Sequence, residues 1–130
     1  MAVEGILQAV PGLKAGADLS AKQYFLVKLT ADFTVDVCSA VTDIPIGVLQ
    51  NAPVSGEPAN VAAFGLTKIV ASAALTAGNL IGASANGRAA PYVNGTDTTK
   101  YLIGHVVGAA GAANGLATAL INCATPNRGA

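Results

Sequence analysis

The sequence predicts an all-β fold: a small antiparallel β-barrel or β-clip-like sandwich with an extended N-terminal arm and a C-terminal tail. Short runs of strand formers recur along the chain, as in Tyr24-Phe25-Leu26-Val27-Lys28-Leu29. Glycine, proline and Asn/Asp clusters separate these runs at turn-like intervals. No segment sustains a helical period, and residues 72–76 form the best short helical candidate.

Taken in order, residues 1–13 hold apolar groups without a period and read as the arm. Residues 14–123 read as the β core and residues 124–130 as the tail. A chain of 130 residues fits one domain whose core folds without a metal or disulfide staple. After the turn-like Ala15-Gly16-Ala17-Asp18, the first strand follows at Tyr24. Phe33, Val35 and Val37 then alternate with Thr34, Asp36 and Cys38, which places the first three on one face of a half-buried strand. Thr30-Ala31-Asp32 is the expected hairpin turn.

Residues 44–50 read as a short strand, and Pro53, Gly56 and Pro58 punctuate the loop behind it. Strand character resumes at Asn60-Val61-Ala62 and over residues 65–70. Asn86-Gly87, between residues 80–83 and 88–92, predicts a hairpin with a type I′ turn, because both residues accept positive φ cheaply. Asn94-Gly95-Thr96-Asp97 opens a polar loop, and residues 103–107 and 116–121 supply the last two strands. Ile46-Gly47-Val48 followed by Asn60-Val61 is faintly echoed by Ile103-Gly104-His105 followed by Leu116-Ala117, a hint of two related hairpins.

Charge argues about partners. Seven basic and seven acidic residues cancel and are scattered, so no basic stripe exists to displace counterions from phosphates, and no nucleic-acid partner is expected. With 52% of residues hydrophobic and only 11% charged, the surface is poor in charge and suited to burial in an assembly. The uncharged stretch from Tyr101 carries Gly104-xxx-Gly108 and Gly111-xxx-Gly115, but its glycines, asparagines and His105 dilute it, and no membrane partner is expected. The first residues lack a basic segment followed by an apolar one, so no secretory signal is expected, and synthesis and retention in a cytoplasm are.

No catalytic constellation emerges, and neither an enzyme nor a cofactor is expected. His105 is the only histidine, and Gly82-Ala83-Ser84-Ala85-Asn86 lacks the last glycine of a nucleophile elbow. Asp32, Asp36 and Asp43 read as solvated turn carboxylates. Cys38 and Cys123 have neither zinc nor redox spacing and read as two buried thiols. Were there a site at a subunit interface, Asp97, Lys100 and His105 would have to gather in a cleft.

The segment Pro45-Ile46-Gly47-Val48-Leu49-Gln50-Asn51-Ala52-Pro53, with Gly56-Glu57-Pro58-Ala59-Asn60-Val61 and Gly65-Leu66-Thr67-Lys68-Ile69-Val70, resembles the phage capsid cement, or head decoration, proteins. Asp18-Leu19-Ser20-Ala21-Lys22-Gln23-Tyr24 resembles that family's opening strand. Leu75-Thr76-Ala77-Gly78-Asn79-Leu80-Ile81 and Ala85-Asn86-Gly87-Arg88-Ala89 fit its later turns. The likeness spans roughly residues 18–121.

It implies a β-rich homotrimer on the outer surface of the icosahedral head, with the major capsid protein and its own copies as partners and no catalytic residues. Ile6, Leu7, Val10 and Leu13 of the arm, and Pro126 and Arg128 of the tail, are the expected subunit and capsid contacts. A head-fibre base or host-attachment module is the alternative.

Overall fold

A computed structural model describes Ala2, Gly5, residues 7–125, Asn127 and Arg128. Ile6 and Pro126, two of the expected contact residues, lie outside the described residues. In chain order the strands are β1 (Leu7–Val10), β2 (Lys14–Ala15), β3 (Leu26–Ala31), β4 (Thr34–Val37), β5 (Gly47–Leu49), β6 (Val61–Val70), β7 (Leu80–Ala83), β8 (Ala89–Pro91), β9 (Tyr101–Leu102), β10 (Gly104–Gly108), β11 (Leu116–Asn122) and β12 (Asn127–Arg128). Among the described residues there is no helix; residues 72–76 instead bring Leu75 into the core, bridged to Ala110.

One large sheet runs β2-β4-β3-β5-β6-β11-β10-β7-β8, with β1 added along β6; β9 and β12 form a separate pair. All pairings are antiparallel except β2 with β4. The sheet coils into a sandwich-like fold and does not close as a barrel. Its far end returns to the near end through a turn: the Leu26 N–H donates to the Gly87 carbonyl at 2.7 Å, with no ladder between β8 and β4.

The strand order is palindromic about the β6–β11 pair, and the registers repeat. In the first half Val27 lies opposite Gly47 and Val37, while Leu26 lies opposite Val48 and Val48 opposite Ala62. In the second, Ile81 lies opposite Gly104 and Pro91, while Leu80 lies opposite His105 and His105 opposite Leu120. The echo around Ile46-Gly47-Val48 and Ile103-Gly104-His105 thus extends to four strands: β3, β4, β5 and β6 correspond to β7, β8, β10 and β11.

Glycine is required at the shared position in β5 and β10. A Cβ on Gly47 would run into the Ala62 carbonyl oxygen, and one on Gly104 into that of Leu120.

Two buried clusters flank the first half. Leu26, Val48, Ile69, Ile81, Ile103, Val106 and Ile121 belong to the larger, and Val27, Val35, Leu49 and Val61 join Leu13 and Leu19 in the second. Adjacent residues of β3 and of β5 enter different clusters, so these strands are buried on both faces.

Three local expectations change. Phe33 is not a strand residue facing the core: it sits in the β3–β4 turn at φ +51° and is 63% exposed, whereas Val35 is fully buried. The extra turn residue breaks the two-residue period on which the alternation rested. The Asn86-Gly87 hairpin forms, but of the two only Gly87 has positive φ. Ser84 N–H donates to the Arg88 carbonyl at 2.8 Å and Gly87 N–H to that of Ser84 at 3.3 Å, the pattern of a three-residue turn ending in a left-handed glycine. Residues 7–10 of the expected arm do not project but pair with β6 of the same chain, and Asn127 and Arg128 of the tail pair with β9. Pairing lets these end segments cover backbone edges that would otherwise be bonded to water.

Candidate interaction surface

The same outward row appears twice in the molecule with different fates. In the first half it is Leu26, Val48 and Ala62, each 0% exposed, with Leu26 and Val48 packed in one cluster with Ile81, Ile103 and Ile121 of the second half. In the second half the corresponding row is Leu80, His105 and Leu120, with Leu80 38% and Leu120 41% exposed and the His105 ring facing solvent. Leu66 on β6 continues it opposite Leu120, and Phe64 and Leu116 lie exposed nearby on the same two strands. A row of leucines of this length, exposed among the described residues, is the arrangement of an interaction surface.

A second apolar area surrounds the β3–β4 turn. Val10, Leu13, Leu29, Ala31, Phe33 and Ile46 line a groove of about 270 Å³ with Asp32 at its rim. Phe33 packs only loosely over Gly12, where a Cβ would stand 3.6 Å from its ring. Beyond Leu29 and Ile46 the surface continues to exposed Ile44 and to Pro45.

The loop between β4 and β5 is organised by one carboxylate. Asp43 Oδ2 accepts from Lys28 Nζ at 2.9 Å and from the N–H groups of Ser39 and Ala40 at 2.8 and 3.0 Å. Burial pushes the Asp43 carboxyl up, but these hydrogen bonds outweigh it and hold it below the usual aspartate range. The hydrogen bond to Asp43 correspondingly raises the Lys28 ammonium. Paired in this way, Lys28 and Asp43 offset one another's charge beside the apolar surface.

The residues named from sequence are dispersed. Leu13 is buried in the second cluster, so its side chain is not available to a neighbour. Leu7 and Val10 are half buried on β1, and Val10 reaches the groove. Arg128 lies with its guanidinium 5.5 Å from the centre of the Tyr101 ring.

Asp97 and Lys100 pair at 3.7 Å, and Asp97 also accepts from the Val93 N–H at 2.6 Å. His105 stands between Leu80 and Leu120, and among the described residues no hydrogen bond or ion pair joins it to Asp97 or Lys100, so the three are not assembled as one group. Cys38 and Cys123 are free and buried, and burial pushes both thiols up to about 12. Among the described residues no group of three His, Cys, Asp or Glu side chains is placed to hold a metal ion, and no helix is long and apolar enough to cross a membrane.

Sequence reasoning placed the expected contacts at the chain ends and did not single out Phe33, Leu80 and Leu120, which stand exposed. The available signal was the match of Thr30-Ala31-Asp32-Phe33-Thr34 with Ser84-Ala85-Asn86-Gly87-Arg88, masked by phenylalanine standing where its counterpart has glycine.

No protein-family model matches the chain, and no curated protein matches it in sequence. Its fold is shared with solved structures from phage heads. The head fiber gp8.5 N base of bacteriophage phi29 superposes with a TM-score of 0.64 and 17% identity, over 91% of this chain and 96% of that one. A chain of the capsid of Myoviridae phage XM1 superposes with a TM-score of 0.67 and 15% identity, over 94% and 88% respectively. At such identities the likeness shows a common fold.

Proposed function

We propose that the chain is a structural protein of a phage head, a cement or decoration protein that binds the outer surface of the capsid and stabilises contacts between major capsid subunits. The observation that carries this reading is a fold shared over nearly the whole chain with two phage-head proteins. The charge-poor surface agrees with it, since exposed apolar rows suit burial against protein. The mechanism is additive. Each copy buries a modest area only in the assembled shell, and many copies linked to one another multiply the gain. Self-association, as a trimer, belongs to this reading, as does location on the virion after synthesis in the host cytoplasm.

The likeness to the phi29 fibre base, which covers 96% of that chain, favours one alternative: a pedestal for a head fibre. Co-sedimentation with purified heads of the phage that encodes the chain separates the readings. Saturable binding at a copy number matching the capsid lattice, with heads becoming harder to rupture by heat, is expected for cement. Binding at a few sites without protection would favour the fibre base, and absence of binding would remove both.

A further inference from the structure

We propose that Asn94-Gly95, at the tip of the loop between β8 and β9, is a site of spontaneous covalent modification, where the asparagine is converted to aspartate and isoaspartate through a succinimide. The sequence holds three Asn-Gly pairs, at residues 86–87, 94–95 and 114–115, and the fold singles out one of them. The chemistry needs only water and holds whatever the chain binds.

Each residue of the pair supplies something. Asparagine carries an amide carbon, Cγ, within reach of the next backbone nitrogen, and glycine has no side chain to obstruct the approach. Once hydroxide or water takes the proton of the Gly95 N–H, the nitrogen attacks Cγ of Asn94, and a new N–Cγ bond closes the ring. The Cγ–Nδ2 bond breaks, and Nδ2 leaves as ammonia with a proton from water. Water then adds at either ring carbonyl and opens a C–N bond, giving aspartate or isoaspartate without any change of oxidation state.

Ring closure has two conditions: the glycine N–H must be open to base, and the asparagine side chain must be free to turn. Two of the pairs meet neither. The Gly87 N–H donates to the Ser84 carbonyl at 3.3 Å, and the Gly115 N–H to that of Ala112 at 3.1 Å. Arg88 fixes both asparagines: Asn86 Oδ1 accepts from its Nε at 3.0 Å and from Ser84 Oγ at 2.5 Å, and Asn114 Oδ1 accepts from its Nη1 at 2.6 Å. A guanidinium polarises a carbonyl and by itself favours attack, but the same bonds oppose the rotation that ring closure requires. Gly87 is also packed, since a Cβ there would collide with Val37.

Asn94-Gly95 is held only at its flanks. Asp97 closes the loop: its Oδ2 accepts from the Val93 N–H at 2.6 Å, its own N–H donates to the Val93 carbonyl at 2.8 Å, and Lys100 pairs with it at 3.7 Å. The tip between these ends is exposed, and a Cβ on Gly95 would meet nothing within 4 Å. Among the described residues neither the Asn94 side chain nor the Gly95 N–H has a hydrogen-bond partner, so both conditions are met. Conversion places a negative charge on a chain of zero formal net charge, and isoaspartate adds a methylene to the loop backbone.

The purified full chain, incubated in mildly alkaline buffer and then digested for peptide mass spectrometry, provides the test. A more acidic species should accumulate on anion exchange, with aspartate and isoaspartate at residue 94. Asn86 and Asn114 should convert at least roughly tenfold more slowly, the rate equivalent of a hydrogen bond that must break first. In denaturant the three pairs should convert at similar rates. Asn94→Gln, whose longer side chain closes a less favourable ring, should prevent the acidic species. Equal rates at the three pairs in the native chain, a faster Asn86 or Asn114, or the same preference for residue 94 in denaturant would overturn the proposal.

Discussion

Phe33 and Gly87 hold the same place in two versions of one hairpin, both left-handed at φ +51° and +79°, yet one ring stands in solvent and the other residue is packed against Val37. The repeated half of the fold therefore uses one backbone geometry for two purposes. The glycine closes the sandwich on itself, and the phenylalanine turn instead holds Lys14 through its carbonyl and lies over Gly12.

Gly87→Ala should lower stability by about 2 kcal/mol, through a Cβ directed at Val37 and a left-handed backbone that alanine resists. Chemical denaturation of the variant, at unchanged slope, would measure it; an unshifted midpoint would show that the turn does not close the sandwich as described.

Phe33→Gly should act in the opposite direction on the isolated chain. Relief of the left-handed strain is worth about 1 kcal/mol, set against the loss of a ring that is 63% exposed and covered only where it lies over Gly12 in the groove. A raised midpoint of chemical denaturation would show it, and a lowered one would show that the contact of the ring over Gly12 outweighs the strain.

Gly47→Ala and Gly104→Ala should destabilise alike, by about 3 kcal/mol each, because both side chains would meet a carbonyl oxygen of the neighbouring strand at equivalent positions. Thermal unfolding of the pair tests the internal repeat, which fails if one substitution is tolerated and the other is not.

Cys38 and Cys123 should resist a thiol reagent at pH 8 in the native protein and react at once in denaturant. Burial that holds both thiols near 12 leaves almost no thiolate to attack. Native labelling within minutes would show that the larger core opens readily.

The Lys28–Asp43 pair gives the stability a defined pH dependence. Asp43 titrates lower in the folded chain, so its contribution is complete above the unfolded aspartate value near 4 and is lost as pH falls through the folded one. Lys28 titrates higher, so its contribution is present below the unfolded lysine value of about 10.4 and is lost as pH rises through the folded one. Asp43→Ala should flatten both limbs and cost about 1 kcal/mol at neutral pH, mainly by releasing the Ser39 and Ala40 N–H groups. Unfolding titrations from pH 2 to 11 would show it.

Several elements were legible in sequence for local reasons. Asn86-Gly87 marks a hairpin because few residues enter the left-handed region cheaply, and the two halves of Ile46-Gly47-Val48 and Ile103-Gly104-His105 announce their strands through β-formers around an obligatory glycine. The turn at Phe33 was not legible, since an aromatic in an alternating run reads as a core residue.

What the sequence by itself determined is the all-β class, the order of strands along the chain and the balance of seven basic and seven acidic residues, all of which follow from neighbouring residues and composition. Only the tertiary structure decided that Leu26 is covered and Leu80 is open. Alternation specifies which face of a strand a side chain occupies; what lies over that face depends on how the sheet coils and where a distant turn returns, a property of the whole chain that no local pattern encodes.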